Sequence, residues 1–311
     1  KLLVRKTQCY SCMVHCGSIA RVYHGQYAGA WTEGPEYETI WAFSGPMRNA
    51  DIGLTIAADK LCDDLGLDTI STGSTIGFAY ECYEKGLITK KDTGGLELVY
   101  GNSDSVLELI RQIAFREGFG DLLAEGSREA GRRIGKGAEH IGIQVKGLEL
   151  PAYDPRGVKS HGLNLLTANI GADHNTGYAP QEVFGVPIPR AVDRLSPKEK
   201  GELTKWNQDS TAFLETGILC SFMPSMGMVP EDVYGRLISS ATGIKDFEDP
   251  AYLWKIGEKI TNFERMFNAR EGFGRKDDSF PKRIREEPLP EGPSSGTVFE
   301  EEEMLDDYYA V

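Results

Sequence analysis

Three cysteines spaced Cys9-x2-Cys12-x3-Cys16 constrain this chain more than any other feature of its sequence. They place soft thiolates on one short loop, from Gln8 to Gly17, and thiolates this dense are metal donors. The remaining cysteines are Cys62, Cys82 and Cys220. The opening Lys1-Leu2-Leu3-Val4-Arg5-Lys6 has no long apolar stretch behind its charges, so it does not read as a signal peptide. A reducing, cytoplasmic compartment is therefore expected, where clustered cysteines bind metal more often than they form disulfides. Zinc sites usually come as paired C-x2-C knuckles, and no second knuckle is present. A cubane iron–sulfur cluster commonly takes three cysteines from one run and a fourth from far along the chain, which favours a cluster over zinc. The spacing leaves the fourth ligand open. Cys62 and Cys82 fall in amphipathic helical patterns, where a free cysteine behaves as a small apolar residue. Cys220 follows Gly217-Ile218-Leu219 near a helix end and is favoured.

At roughly 150 residues per domain, 311 residues suggest two domains. With 40 % apolar and 26 % charged residues, each can bury a core. The stretch 136–160 turns to Gly, Pro and short apolar runs such as Ile141-Gly142-Ile143, so the boundary is placed near 145, giving domains 1–145 and 146–311. Helices are expected from Asn49 or Asp51 to Gly66, from Ser74 to Gly86, from Ser103 or Ser105 to Gly118, and briefly from Asp121. Further helices are expected behind Ser196-Pro197-Lys198-Glu199, read as a capping box with Pro at the first turn, behind Pro230, and behind Asp249-Pro250. Residues 18–40 read as short strands and turns, and the Pro-rich 277–296 stretch as an extended wrap. The fold class is mainly α: two helical domains with little β-structure. A net charge of −13 without a basic stripe argues against nucleic acid and against an acidic membrane surface. No apolar run approaches the roughly 20 residues needed to cross a bilayer. The acids Glu300 to Glu303, Asp306 and Asp307 read as a solvated end.

Three further groups could carry chemistry. His174, in Asn169-Ile170-Gly171-Ala172-Asp173-His174, lies in a small-residue loop beside a carboxylate that could orient it for general acid–base work; a locally satisfied pair is the simpler alternative. Glu33, Glu36 and Glu38 bracket a Gly-Pro turn; Glu36 and Glu38 would share one side of an extended segment, and one could be desolvated into a base, or all could be solvated loop acids. Asp63-Asp64-Leu65-Gly66-Leu67-Asp68 places acids around a helix C-terminus, where they need hydrogen-bond donors, from a nitrogen-rich heterocycle or from a local turn.

Together with Gly34-Pro35-Glu36-Tyr37-Glu38-Thr39, Leu65-Gly66-Leu67-Asp68-Thr69-Ile70-Ser71, Arg270-Glu271-Gly272-Phe273-Gly274-Arg275-Lys276-Asp277-Asp278, Phe280-Pro281-Lys282-Arg283 and Glu287-Pro288-Leu289-Pro290-Glu291-Gly292-Pro293, these residues make the chain resemble the tungsten-containing aldehyde:ferredoxin oxidoreductases, in their second and third domains. The resemblance implies a [4Fe–4S] cluster on Cys9, Cys12, Cys16 and Cys220. It also implies a tungsten (or molybdenum) bis-pterin contacted by Asp63, Gly66, Leu67 and Asp68 on one side and by Glu215 and Leu219 on the other. Glu38 corresponds to the glutamate beside the metal and His174 to the histidine that exchanges protons with substrate. The second pterin element, D-x-x-G-L-C in the family, here reads Glu215-Thr216-Gly217-Ile218-Leu219-Cys220, departing from the family with Glu for Asp and Ile for Gly. The family's E-x-x-H metal site at a dimer interface has no match and is not carried over; a homodimer stays open.

The resemblance further implies oxidation of an aldehyde to a carboxylic acid with ferredoxin as electron acceptor, in an anaerobic setting. Family members carry an N-terminal β-rich domain that forms one wall of the bis-pterin site. Nothing before Lys1 supplies it, and there is no initiator Met, so the chain is expected to be the C-terminal portion of a longer enzyme, inactive alone and unable to hold the pterin tightly. The alternatives are a relative acting on glyceraldehyde phosphate or an aromatic acyl thioester, a non-catalytic electron-transfer module, and a zinc-stabilised helical interaction domain.

Overall fold

A computed structural model describes residues 1–222 and 229–311. The chain is mainly helical, with a three-stranded and a two-stranded antiparallel sheet, as the sequence predicts. By its internal contacts it divides into two compact units, Lys1–Ala152 and Tyr153–Val311. Among the described residues no helix is long and apolar enough to cross a membrane.

The first unit opens with strands β1 (Leu3–Thr7), β2 (Gly17–Arg21) and β3 (Trp31–Glu33), joined antiparallel in that order. Thr7 pairs with Gly17, so the cysteine run is the connection of the β1–β2 hairpin. A Cβ at Gly17 would come within 2.4 Å of Thr7 Oγ1, which is why the loop closes on a glycine. Helix α1 (Tyr37–Ala42) follows, then α2 (Ile52–Leu65) and α3 (Thr69–Glu84). α2 begins where the sequence predicts: Asp51 accepts a hydrogen bond from Gly53 N–H, and Gly66 ends it in the left-handed region. α3 starts at Thr69 rather than Ser74, because Asp68 accepts from Ser71 N–H and so caps the following helix instead of trailing the preceding one. α3 is buried almost throughout, and its glycines let it approach α1 closely: a Cβ on Gly73 would lie 2.5 Å from the Ala42 carbonyl oxygen. Cys62 and Cys82 sit in this core, fully buried, and burial pushes both thiols up to about 12.

α4 (Val106–Phe115) buries Val106, Leu109, Ile110 and Ile113. It ends at Arg116, in the left-handed region, and not at Gly118, which instead opens α5 (Gly118–Leu123). α6 (Gly126–Ile134) precedes the small hairpin β4 (Gln144–Val145) and β5 (Leu148–Glu149), whose buried Glu149 accepts from Ser127 N–H and Oγ–H at 2.7 and 2.8 Å.

The second unit is built on α7 (Lys159–Thr167), buried at every residue, and α9 (Lys200–Glu215), with the one-turn α8 (Pro180–Val183) between them. The stretch expected to cap α9 lies just before it: Ser196 Oγ accepts from Lys198 N–H and the helix starts at Lys200. α10 (Glu231–Thr242) follows Pro230, and α11 (Pro250–Arg270) is capped by Asp249, whose side chain accepts from Ala251 N–H. α11 crosses α9 at Gly257, where a Cβ would lie 2.1 Å from the Asp209 carbonyl oxygen. The 277–296 stretch is not wholly extended, since Phe280 and Ile284 turn inward and α12 (Lys282–Glu286) forms around the latter. The acidic tail likewise departs from a solvated end. It forms α13 (Glu301–Tyr309), which buries Glu301, Met304, Leu305 and Tyr308, because an apolar stripe runs between the acids.

Candidate functional site

The structure groups the expected residues into two sets, one in each unit. In the first, Cys9 and Cys16 are exposed and Cys12 half-buried, and none is in a disulfide. The loop folds on a Cys12 N–H to Cys9 carbonyl bond of 3.0 Å, with Ser11 and His15 both in the left-handed region. Val14 N–H donates to Cys12 Sγ at 3.4 Å, and Lys6 Nζ donates to the Cys16 carbonyl. Among the described residues no group of three or more His, Cys, Asp or Glu side chains is arranged to hold a metal ion. In kind, the donors suit an iron–sulfur cluster: three thiols free of disulfides share one loop, and a backbone N–H already faces one sulfur, the sort of hydrogen bond that tunes such clusters.

Glu38 lies in the first turn of α1, not on an extended segment, with Glu36 as the residue before the helix. The chain reaches it from β3 through a cis Gly34–Pro35 peptide. Glu38 Oε2 accepts from Ala152 N–H at 2.8 Å, while Oε1 is buried with no hydrogen-bond partner among the described residues. Burial raises the pKa of this carboxyl, against the opposing pull of the Ala152 N–H. An unpaired buried acceptor costs about 1–3 kcal/mol, a cost a bound proton or a ligand donor would relieve.

Asp59 of α2, which the sequence reading passed over, lies beneath this approach. It accepts from Thr32 Oγ–H at 2.8 Å, and a Cβ on Gly34 would come within 2.7 Å of its Oδ2. Burial raises Asp59 to about 6; Thr32 opposes the shift, and the neighbouring carboxylates of Asp63 and Glu36 add to it. The available signal was an acid on the otherwise buried face formed by Leu54, Thr55, Ile56, Ala58 and Cys62. The Asp63–Asp68 turn adjoins: Thr39 and Thr69 share a 2.9 Å hydroxyl–hydroxyl bond linking α1 to the start of α3. Gly66 sits in this turn at φ 69° with open space where a side chain would point, and Asp63, Gly66 and Asp68 are exposed while Leu67 is half-buried.

In the second unit His174 Nδ1 lies 3.9 Å from Asp173 Oδ1. Its ring stacks on Tyr153, with centroids 5.8 Å apart and planes at 28°. Tyr153 also meets His161 and Tyr178 edge-on, and the two tyrosine hydroxyls are 3.3 Å apart. His161 is fully buried and pushed down to about 3 by burial and then by its neighbour His174, so it is a neutral imidazole. Sequence reasoning missed Tyr153, His161 and Tyr178: a helix buried all round shows no amphipathic period, and the tyrosines come from separate loops.

Glu215 ends α9, and Tyr178, Trp206, Leu214, Glu215 and Leu219 line one groove. Burial, followed by the carboxylates of Asp173 and Glu264, raises the pKa of Glu215. The turn beyond it brings Ile218 to φ 57°, the same left-handed region as Gly66, and Cys220 is exposed.

Compared with known proteins, residues 1–311 match the family model described as aldehyde ferredoxin oxidoreductase, domains 2 and 3. The chain is 42 % identical over 312 residues to a tungsten-containing aldehyde ferredoxin oxidoreductase of Pyrococcus furiosus, covering 99 % of this chain and 50 % of the relative. It is 40 % identical to the protein of that name from Thermococcus kodakarensis, with the same coverage, and 28 % identical to the WOR-like subunit of an aliphatic sulfonate oxidoreductase of Pyrococcus furiosus, over 95 % of this chain and 45 % of that one. The chain thus spans about half the length of the curated relatives it matches. Its fold is like that of the active-site complex BamBC of benzoyl coenzyme A reductase, solved with 1,5-dienoyl-CoA, with a TM-score of 0.75 at 21 % identity over 99 % of this chain and 50 % of that one.

Proposed function

Since the chain belongs to the aldehyde ferredoxin oxidoreductase family, spanning its domains 2 and 3, we propose that it is the corresponding part of an enzyme that oxidises aldehydes to carboxylic acids, with ferredoxin as acceptor. In this reading residues 1–145 are the domain 2 part and 146–311 the domain 3 part. The other wall of the pterin site belongs, in this reading, to an N-terminal domain of the same polypeptide. Aldehyde and water give the acid, two protons and two electrons, and each ferredoxin takes one electron. When bound, a tungsten or molybdenum bis-pterin supplies two-electron chemistry and a [4Fe–4S] cluster one-electron relay. Cys9, Cys12, Cys16 and Cys220 would hold the cluster. Asp63, Gly66, Leu67, Asp68, Glu215 and Leu219 would hold the pterins.

The observation that carries the reading is Glu38, a half-buried residue with one carboxylate oxygen committed to Ala152 N–H and the other buried and unpaired among the described residues. Such a group holds or takes a proton at Oε1, as activation of water requires. His174, oriented by Asp173 and Tyr153, moves a proton at its imidazole. In the full-length, metal-loaded enzyme, Glu38→Gln and His174→Asn should each lower aldehyde turnover by about 10²-fold or more, the usual size of a lost acid–base group, with iron and tungsten contents unchanged. Full activity in either variant rejects that residue's role, and a wild-type enzyme that binds iron and tungsten yet leaves aldehydes untouched rejects the reaction.

One departure favours a second reading, an electron-transfer module with a decayed pterin site: the 215–220 element carries Ile218 where the family has Gly, in a left-handed backbone that suits glycine. Absence of tungsten beside a full complement of iron in the full-length protein would select it.

A further inference from the structure

His174 sits on the segment 173–179, and three side chains from within the second unit hold that segment along its length. At its start Asn164 Nδ2 donates to the Asp173 carbonyl at 3.0 Å. Asp173 then folds it, accepting from Asn175 N–H and Thr176 N–H at 3.0 and 3.1 Å. Gly177 lies so close to α7 and α9 that a Cβ would come within 2.6 Å of Asn164 Oδ1 and 2.5 Å of Gln208 Cγ. At its end Ala179 N–H donates to His161 Nδ1 at 3.4 Å. His161 N–H in turn donates to Glu182 Oε2 at 3.1 Å, so one residue of α7 ties down both the end of the segment and α8 behind it. The His161 ring lies 4.6 Å from Tyr153 and 4.9 Å from Tyr178, steeply inclined to both, and Tyr153 is the ring on which His174 stacks.

We propose that His161 is a positioning residue for His174: its Nδ1 anchors the segment through Ala179, and its ring props Tyr153 parallel to the His174 imidazole. This rests on the reading of His174 as the proton-exchanging group. A histidine suits the place on three counts. Its ring gives edge-on contact that an aliphatic chain cannot. Its Nδ1 satisfies a buried backbone N–H that phenylalanine would orphan. Burial keeps it uncharged, so it does not oppose protonation of His174, as a lysine or arginine there would. The hydrogen bond from Ala179 assigns the ring proton to Nε2.

The test uses three variants that separate these contributions: His161→Phe keeps a ring and loses the acceptor, His161→Gln keeps an acceptor and loses the ring, and His161→Leu loses both. In the full-length protein labelled with ¹⁵N-histidine, two-bond ¹H–¹⁵N spectra should show wild-type His161 as the neutral Nε2–H tautomer from pH 5 to 8, a window well above its titration. The His174 ring protons, displaced by Tyr153, should move toward solvent values in the Leu variant and part of the way in the Phe and Gln variants. In the full-length, loaded enzyme the Leu variant should lose about 10²-fold in kcat, the scale of an ångström-sized misplacement, with KM, iron and tungsten unchanged. Phe and Gln should each recover part of that loss. His174 resonances unmoved in a folded Leu variant overturn the proposal; if that variant does not fold, unmoved resonances in both Phe and Gln do so. A wild type without aldehyde oxidation overturns the parent reading alone, because the spectra do not depend on the reaction.

Discussion

Ile218 offers a direct energetic test of the turn that carries Leu219 and Cys220. A β-branched residue at φ 57° places its Cβ against the following carbonyl, which costs roughly 1–2 kcal/mol. The side chain recovers little, being 94 % exposed, and nothing in the structure explains why isoleucine stands there. The backbone is held in place regardless: Ile218 N–H donates to the Glu215 carbonyl at 2.9 Å, and Gly217 is pressed against Tyr234, where a Cβ would lie 2.7 Å from the hydroxyl. Ile218→Gly should therefore relieve the strain, offset by about 0.5–1 kcal/mol of extra chain entropy in the unfolded state. A net gain of about 1 kcal/mol should raise the melting temperature of the second unit by roughly 2–4 °C. Gly66 supplies the converse. It occupies the same position of the other turn at φ 69°, with no atom within 4 Å of where a Cβ would lie, so Gly66→Ala should cost about 1 kcal/mol through backbone strain alone. Thermal and urea unfolding of both variants, each followed by a probe in its own unit, reads these values. A lower melting temperature for Ile218→Gly, or an undiminished one for Gly66→Ala, would refute the reasoning.

Asp59 should make the first unit's stability pH-dependent. Its pKa is higher folded, at about 6, than unfolded, near 3.8, so the folded state binds the proton more tightly. The contribution therefore falls as pH rises from about 4 to about 6 and is flat above, by up to about 3 kcal/mol. Asp59→Asn, which keeps an acceptor for Thr32, should lack that slope in urea titrations at pH 4 to 7; equal slopes would exclude Asp59 as its source. Gly257→Ala should destabilise the second unit by about 1–3 kcal/mol or more, since the methyl meets the Asp209 backbone and not a movable side chain; an unchanged urea midpoint would contradict this contact. Glu301→Ala should cost about 1–3 kcal/mol by stripping Phe280 N–H, donated at 2.7 Å, and Ser279 Oγ–H, at 2.8 Å, of their acceptor. A loss below 0.5 kcal/mol, well under that range, would mean that the tail is as solvated as its charge suggests.

What the sequence disclosed, and what it hid, divides by the range over which each element is stabilised. The start and end of α2 are set by Asp51 and Gly66, each acting within a few residues, and both were legible. Local signals misled where one residue could serve either of two neighbours. Asp68 reads equally as the tail of α2 and the cap of α3, and Gly118 as the stop of α4 and the start of α5. Helix α7 was invisible because several of its polar residues find their partners far along the chain. Lys159 pairs with Glu300 from 141 residues away, Ser160 meets Thr204, and Asn164 accepts from Gln208, so the helix is buried on every side without an apolar stripe. The candidate site follows the same rule. Residues whose type and local spacing carry meaning, such as the cysteine run in its hairpin loop and His174 beside Asp173, stand out in one dimension. Asp59, Tyr153, His161 and Tyr178 do not, because what makes each chemically unusual is the burial and the ring or carboxylate neighbours that the fold supplies. A buried polar residue on an otherwise apolar face is the one trace such groups leave, and at Asp59 it was the trace to follow.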